Sequence, residues 1–263
     1  MTILDQIIAS KKREVTLKKQ LIPAAQLEYS VLFNTKTYSL SKMLRNAPVG
    51  IIAEHKRRSP SKSVINHSFP VEEVVIGYQN AGACGISVLT DGQYFGGSLE
   101  DLLLAKASVN IPLLRKEFII DEYQILEAKA HGADAILLIA AVLTRNEIKN
   151  LSEFAQSLGL EVLLEVHNLE ELEKSILPSL DMIGVNNRNL KNFEVSLEYS
   201  TELAQHIPNE FIKVSESGIS SVEAIQKLQP QGYQGFLIGE HFMKTDNPGA
   251  AAASFLNSLL VKS

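Results

Sequence analysis

The chain has 263 residues, 45% of them hydrophobic and 21% charged, with a mean hydropathy of +0.04, a composition typical of a globular protein with a sizeable core. The formal net charge of −5 excludes the basic surface of a nucleic-acid-binding protein, and the single cysteine, Cys84, excludes an internal disulfide. The N-terminal residues acquire charge early and lack the apolar run of a signal peptide, and no segment approaches the roughly 18 apolar residues of a membrane span. We therefore expect a cytoplasmic protein with no nucleic-acid or membrane partner.

The first 48 residues are predicted to be largely helical. Helical periodicity runs over 3–19 and 39–46, and the apolar residues on the faces that can be buried are Ile3, Ile7, Ile8, Leu40 and Leu44. We interpret 1–48 as a helical extension that caps a barrel formed by 49–263, the whole chain being one domain.

From Gly50 onward, short apolar runs alternate with helical segments eight times. The predicted strands are 50–54, 85–89, 111–114, 135–140, 161–165, 182–185, 211–215 and 235–238. Capping pairs that indicate helix starts are Ser98 with Asp101, Thr144 with Glu147, Asn168 with Glu171 and Ser220 with Glu223. Gly159 indicates the end of the helix that begins at Thr144.

Apolar strands separated by helices predict a parallel sheet with right-handed crossovers. The sheet could be open and doubly wound, or closed into a barrel. An open sheet usually has a glycine-rich ligand loop after its first strand, whereas the segment 56–61 here is K-R-R-S-P-S. This segment and the number of strands favour an α/β fold of the (β/α)₈ TIM-barrel type with extra N-terminal helices.

Charged and polar residues follow the predicted strands. Because the carboxyl ends of barrel strands meet at one face, we expect a shared site there. Its candidate members are Glu54, Lys56, Lys116, Glu165, Asn186, Arg188, Glu216 and Ser217. A structural network of salt bridges is the alternative, but buried ion pairs gain little stability over apolar replacements. A site for an anionic, polar substrate explains the set better.

Small residues after the last two strands indicate a phosphate site. Gly218 follows strand seven, and Gly239 with Glu240 follows strand eight, at the junction where barrels often bind phosphate through backbone N–H groups. The alternative is that both glycines only permit tight turns.

Six segments resemble indole-3-glycerol-phosphate synthases. They are 54–61, which carries E-x-K-x-x-S-P-S, and 87–97, 113–119, 164–167, 183–188 and 214–219. The likeness extends from the N-terminal helices to strand eight. Glu117 departs from the aspartate that is usual in the family, so we expect a different local pairing at this position.

The resemblance implies a reaction and a set of catalytic residues. Members of the family convert a carboxyphenylamino-deoxyribulose phosphate into indole-3-glycerol phosphate, with loss of carbon dioxide and water. Lys116 is then the candidate general acid, Glu165 the base, and Lys56 a possible second acid. Glu54 and Glu216 are expected to position the lysines and to influence their pKa.

The resemblance also implies the substrate-binding residues. Asn186 and Arg188 suit the hydroxyls and the carboxylate, while Ser59, Ser217 and Lys56 suit the carboxylate or the phosphate. An apolar slot for the aromatic ring is predicted at Phe95, Phe118 and Leu137. Such chemistry needs no cofactor and no metal ion, and the only partner expected is a small phosphorylated substrate, bound by a monomer or a weak homo-oligomer.

Two other functions stay open from the sequence. One is a different phosphate-binding barrel enzyme of the tryptophan pathway, such as a relative of phosphoribosylanthranilate isomerase or of the tryptophan synthase α-chain. The other is a non-catalytic barrel that binds a sugar phosphate. Among the histidines, His55 is expected to point away from the barrel interior, and His167 could lie near the site because it follows Glu165 by two residues.

Overall fold

The computed structural model describes residues 2–189 and 193–261. Over these residues eight parallel strands form a closed barrel, each paired with its chain neighbours and the first paired with the last. The strands are β1 (Gly50–His55), β2 (Gly85–Leu89), β3 (Leu113–Lys116), β4 (Ala135–Ile139), β5 (Glu161–Val166), β6 (Met182–Asn186), β7 (Ile212–Glu216) and β8 (Tyr233–Ile238). The predicted (β/α)₈ TIM barrel is confirmed.

Helices precede the barrel and follow each of its strands. Those of the N-terminal extension are α1 (Ile3–Leu21), α2 (Ala24–Glu28) and α3 (Leu40–Asn46). The others are α4 (Val71–Asn80), α5 (Gly92–Phe95), α6 (Leu99–Ser108), α7 (Glu122–Ala130), α8 (Arg145–Ser157), α9 (Leu169–Ser175), α10 (Glu198–Leu203), α11 (Val222–Leu228), α12 (Glu240–Met243) and α13 (Pro248–Val261). Two 3₁₀ turns span Ala204–His206 and Gln229–Gln231.

Helix starts follow the predicted caps with one exception. Thr144 and Glu147 form a reciprocal capping box at α8, and Ser98 and Asn168 cap α6 and α9. The cap of α11 was predicted at Ser220, which is wrong, because Ser221 accepts the backbone N–H of Ala224. Two adjacent serines satisfy the same pattern, so the sequence alone does not distinguish them.

Strand boundaries differ from the prediction most at β3 and β8. β3 begins two residues later than predicted, at Leu113, since Pro112 has no backbone N–H to donate to the ladder. β8 begins two residues earlier, because a register shift opposite Lys213 and Val214 leaves Gln234 as an extra residue in the strand.

The core has three clusters among the described residues, and the extension contributes to two of them. In one of these, Val15 of α1 and Leu27 of α2 pack against α7. Leu40 and Leu44 of α3 pack with the side chains that fill the barrel interior, among them Ile52, Leu163 and Met182. A larger cluster fills the space between the strands and the surrounding helices. Cys84 is a buried free thiol, and burial raises its pKa.

Candidate active site

A cavity of about 420 Å³ opens at the carboxyl ends of the strands. Every site residue predicted from the sequence lines it: Glu54, Lys56, Ser59, Phe95, Lys116, Phe118, Leu137, Glu165, Asn186, Arg188, Glu216, Ser217, Gly218, Gly239 and Glu240. These residues come from the ends of the eight strands and from the loops that follow them. The closure of the barrel therefore brings together residues that lie up to 186 positions apart, from Glu54 to Glu240. The cavity is therefore one site with charged, apolar and loop-backbone walls.

Lys116 on β3 lies between two buried carboxylates, those of Glu165 on β5 and Glu216 on β7. Its Nζ donates to Glu165 Oε2 at 3.3 Å and to Glu216 Oε2 in a shorter contact. A second pair lies alongside, in which Lys56 Nζ donates to Glu54 Oε1 at 2.5 Å. Glu216 is 1% exposed and Glu54 4% exposed, so both pairs are shielded from bulk water.

The charges of the cluster shift one another's pKa values. Burial lowers the pKa of Lys116, but attraction to Glu216, Glu165 and Glu54 outweighs it, and the net pKa is raised. Burial would raise the pKa of Glu165, yet Lys116 and His167 outweigh that effect and lower it. At Glu216 burial prevails, and together with the negative charge of Glu165 it raises the pKa to about 7. Two carboxyls beside one lysine thus differ in proton affinity, as an acid–base site requires.

Two glycines make room for the carboxylates. A Cβ added to Gly239 would lie 2.5 Å from Glu54 Oε1, and a Cβ added to Gly184 would overlap Glu216 Oε1. Larger residues at these positions would displace Glu54 or Glu216 from the lysines that they contact.

The apolar wall includes a contribution that the sequence analysis missed. The rings of Phe95 and Phe118 pack with their centroids 6.0 Å apart, and Leu137 lies in the same cavity. Ile3, Leu4 and Ile7 of α1 also line it. The periodicity of α1 predicted an apolar face, but periodicity does not indicate whether that face meets the closed end of a barrel or its mouth.

The loops after β7 and β8 form a further wall of the cavity. Ser217 and Gly218 both adopt left-handed backbone conformations, with φ of 66° and 77°. Glu240 begins α12, and its carboxylate pairs with Lys62, which compensates its negative charge. Lys244 is a further cation on the cavity wall that the strand-end analysis did not include.

Arg188 is held at the mouth by its own loop. Its backbone N–H donates to Asn186 Oδ1 at 3.0 Å, and its guanidinium donates to the Phe193 carbonyl at 3.3 Å. The Phe193 carbonyl accepts from only one of the five guanidinium N–H groups, so further N–H groups can donate to a bound anion.

Glu117 lines the cavity, and its carboxylate belongs to a buried ionic network. It contacts Lys11 Nζ at 3.1 Å and accepts from the hydroxyl of Thr90 at 2.9 Å. Lys11, which is 2% exposed, also contacts Asp91 at 3.0 Å, and Asp91 caps the short helix that ends in Phe95. Lys11 therefore joins α1 to the two loops that carry Phe95 and Phe118.

The histidines differ in environment. His55 is buried outside the cavity, where burial and the neighbouring Arg57 lower its pKa to about 4. His167 lies with Nε2 3.4 Å from Glu165 Oε1, beside the charged cluster. Across 2–189 and 193–261 there is no cluster of three metal-ligating side chains, and no helix there is long and apolar enough to cross a membrane.

A closed parallel barrel with paired lysines and carboxylates at its C-terminal mouth has the architecture of the (β/α)₈-barrel enzymes, whose active sites lie at that face. The profile of one family, indole-3-glycerol phosphate synthase, matches residues 4–255. The chain belongs to this family.

Sequence relatives support the family assignment, and solved structures support the fold. The indole-3-glycerol phosphate synthase of Bacteroides thetaiotaomicron is 49% identical over 257 residues, which cover 98% of both chains. That of Aliarcobacter butzleri is 43% identical over 261 residues, which cover 98% of this chain and 99% of that one. The 3-hexulose-6-phosphate synthase of Salmonella typhimurium superposes with a TM-score of 0.63 at 13% identity, over 82% of this chain and 100% of that one. KGPDC of Streptococcus mutans superposes with a TM-score of 0.62 at 12% identity, over 81% of this chain and 98% of that one. These two likenesses concern the fold alone.

Proposed function

We propose that this chain converts 1-(2-carboxyphenylamino)-1-deoxyribulose 5-phosphate into indole-3-glycerol phosphate, carbon dioxide and water. The observation that carries the proposal is Lys116 held between Glu165 and Glu216 in the mouth of the barrel. Membership of the family supports the same reaction. The site is built from one chain, so a monomer suffices, and the buried free thiol of Cys84 suits the reducing cytoplasm.

The two walls of the cavity suggest how the substrate lies. The backbone of Ser217–Gly218 and of Gly239–Glu240 would bind the phosphate, because left-handed loops and helix starts direct N–H groups at anions. The aromatic ring would occupy the apolar slot formed with Phe95, Phe118 and Leu137. The sugar carbonyl then lies between these ends, near the charged cluster.

In the first step the ring carbon that bears the carboxylate attacks the C2 carbonyl carbon. The carbonyl oxygen becomes a hydroxyl by taking a proton from Lys116, whose raised pKa keeps it protonated in the free enzyme. Loss of carbon dioxide leaves the bonding electrons in the ring and restores its aromaticity. Arg188 and Ser59 would orient the carboxylate before it leaves, and Asn186 the sugar hydroxyls.

In the second step the C2 hydroxyl leaves as water and a proton leaves C1. Lys56 or Lys116 supplies the proton for the departing hydroxyl. Glu165 accepts the C1 proton, since its lowered pKa keeps it ionised despite burial. Glu54 would hold Lys56, and Glu216 would hold Lys116. Each positioned acid or base typically contributes about 10²–10⁴-fold.

The test supplies the purified protein with the carboxyphenylamino sugar phosphate and follows indole fluorescence together with carbon dioxide release. We expect both signals in equal amounts, and their loss in Lys116→Met and Glu165→Gln. Turnover of phosphoribosylanthranilate instead would support the isomerase alternative. Binding without turnover, unaffected by Lys116→Met, would support a non-catalytic barrel.

A further inference from the structure

His167 lies between two carboxylates at the edge of the site. Its Nδ1 is 3.1 Å from Glu171 Oε2, and its Nε2 is 3.4 Å from Glu165 Oε1. The side chain is 10% exposed, and Nε2 has no hydrogen-bond partner among the described residues. The ring therefore connects the first turn of α9 to the proposed base on β5.

Glu171 is a fixed acceptor. Its Oε2 also accepts the backbone N–H of His167 at 2.9 Å, and its Oε1 accepts from the side-chain amide of Asn168 at 2.9 Å. Glu171 lies in the first turn of α9, where the helix dipole favours a negative charge. These contacts orient the imidazole and assign the Nδ1 proton to the Glu171 side.

The protonation state of the ring then follows from the neighbours of Nε2. A neutral ring that donates from Nδ1 would present the lone pair of Nε2 to the Glu165 carboxylate, which is unfavourable, whereas the imidazolium would present an N–H. Burial lowers the pKa of His167, but Glu171, Glu165 and the more distant Glu216 on β7 outweigh it, and the pKa is raised. Lys116 on β3 is the cation on the other side, and it contacts Oε2 of Glu165 rather than Oε1.

We propose that His167, as an imidazolium oriented by Glu171, is a positioning residue that holds Glu165 Oε1 and keeps this carboxylate ionised for proton abstraction. The proposal rests on the proposed role of Glu165 as base. Lys116 contacts Oε2 of Glu165 and His167 lies beside Oε1, while the side chain of Asn186 also hydrogen-bonds this carboxylate. His167 keeps Glu165 charged while Lys116 gives up its proton during ring closure, so the base does not depend on Lys116 alone.

Three variants test the proposal through the pH dependence of kcat/KM. His167→Gln keeps an amide donor without the charge, and Glu171→Gln keeps the imidazole but removes the carboxylate that favours its protonation. Glu170→Gln is the matched control, because Glu170 is an exposed neighbour on α9.

The expected result is an acid limb displaced to higher pH in His167→Gln, by about one pH unit, because an opposite charge within about 4–6 Å lowers a carboxyl pKa by about that much or more. Glu171→Gln should move the limb in the same direction by less, and Glu170→Gln should not move it. Loss of the His167 proton as the pH rises through its raised pKa should add to the alkaline limb of the unaltered protein, and this component should be absent from His167→Gln. A uniform fall in kcat at every pH, with no displacement of either limb, would assign His167 a purely structural role and overturn the proposal.

A second measurement does not depend on turnover. NMR titration of the His167 ring should give a lower pKa in Glu165→Gln and in Glu171→Gln than in the unaltered protein. An unchanged pKa in both variants would overturn the proposal even if they fold and bind normally. Absence of turnover in the unaltered protein, by contrast, would refute the proposed function and leave this titration as the decisive result for His167.

Discussion

Replacing Lys116 with methionine removes the cation that contacts both Glu165 and Glu216 while keeping most of the side-chain volume. At 3.3 Å and an effective dielectric constant of about 20, the attraction between Lys116 and Glu165 is about 5 kcal/mol before desolvation is considered. Breaking a buried ion pair by removing one partner costs about 3–5 kcal/mol. We therefore expect a loss of stability of that order at pH 8, and a fall in kcat/KM of about 10²–10⁴-fold from the missing acid.

The loss of stability should depend on pH. Without Lys116, the pKa of Glu216 should rise further above its value of about 7, since the lysine is what lowers it. A carboxyl whose pKa is raised in the folded state adds most to the free energy of unfolding at pH values below its unfolded pKa. That contribution to stability is lost as the pH rises towards the folded pKa. The slope is about 1.4 kcal/mol per pH unit for each such carboxyl. Denaturant unfolding should thus find the variant more stable at pH 6 than at pH 8.

The control is Lys149→Met, which removes an exposed lysine paired with Glu153 and should change neither property measurably. Fluorescence at saturating substrate, with substrate binding measured separately, distinguishes a lost acid from lost affinity. Retention of kcat/KM within tenfold in Lys116→Met would refute the assignment of Lys116 as the general acid.

Two further substitutions test how the site is supported. Lys11→Met should destabilise the protein by about 3–5 kcal/mol in urea titrations and raise KM more than it lowers kcat, because Lys11 joins α1 to the loops that carry Phe95 and Phe118. Lys12→Met, at an exposed position of the same helix, is the control, and equal effects of the two substitutions would contradict this role of Lys11. Gly239→Ala should lower kcat/KM and reduce the free energy of unfolding by about 1–3 kcal/mol, because the added Cβ would lie 2.5 Å from Glu54 Oε1. Full activity with an unaltered pH profile would show that catalysis does not depend on the present position of the Glu54 carboxylate.

The fold was predictable because each barrel strand is a short apolar run between capped helices, and the carboxyl ends of parallel strands must meet at one face. That rule suffices to bring Lys116, Glu165 and Glu216 together. The alternation of side chains also explains why the carboxylate of Glu117, which follows Lys116, contacts Lys11 rather than the cluster of Lys116, Glu165 and Glu216.

What the sequence did not reveal depends on contacts between distant segments. The burial of Lys11 is invisible in a helix whose neighbouring residues are mostly charged, because only the fold brings Asp91 and Glu117 to it. The place of Ile3 and Ile7 in the cavity wall depends on how α1 lies against the barrel, which local periodicity does not specify. The contact between His167 and Glu171 requires the turn between β5 and α9 to return the first helical turn towards the strand end.

A crystal structure with a substrate analogue, in which the C2 carbonyl is reduced to an alcohol, tests the account most directly. It should show the C2 oxygen within hydrogen-bonding distance of Lys116 Nζ, the phosphate against the backbone of the loops after β7 and β8, and the ring against Phe95, Phe118 and Leu137. A C2 oxygen remote from Lys116, or a phosphate bound at the apolar wall, would contradict it.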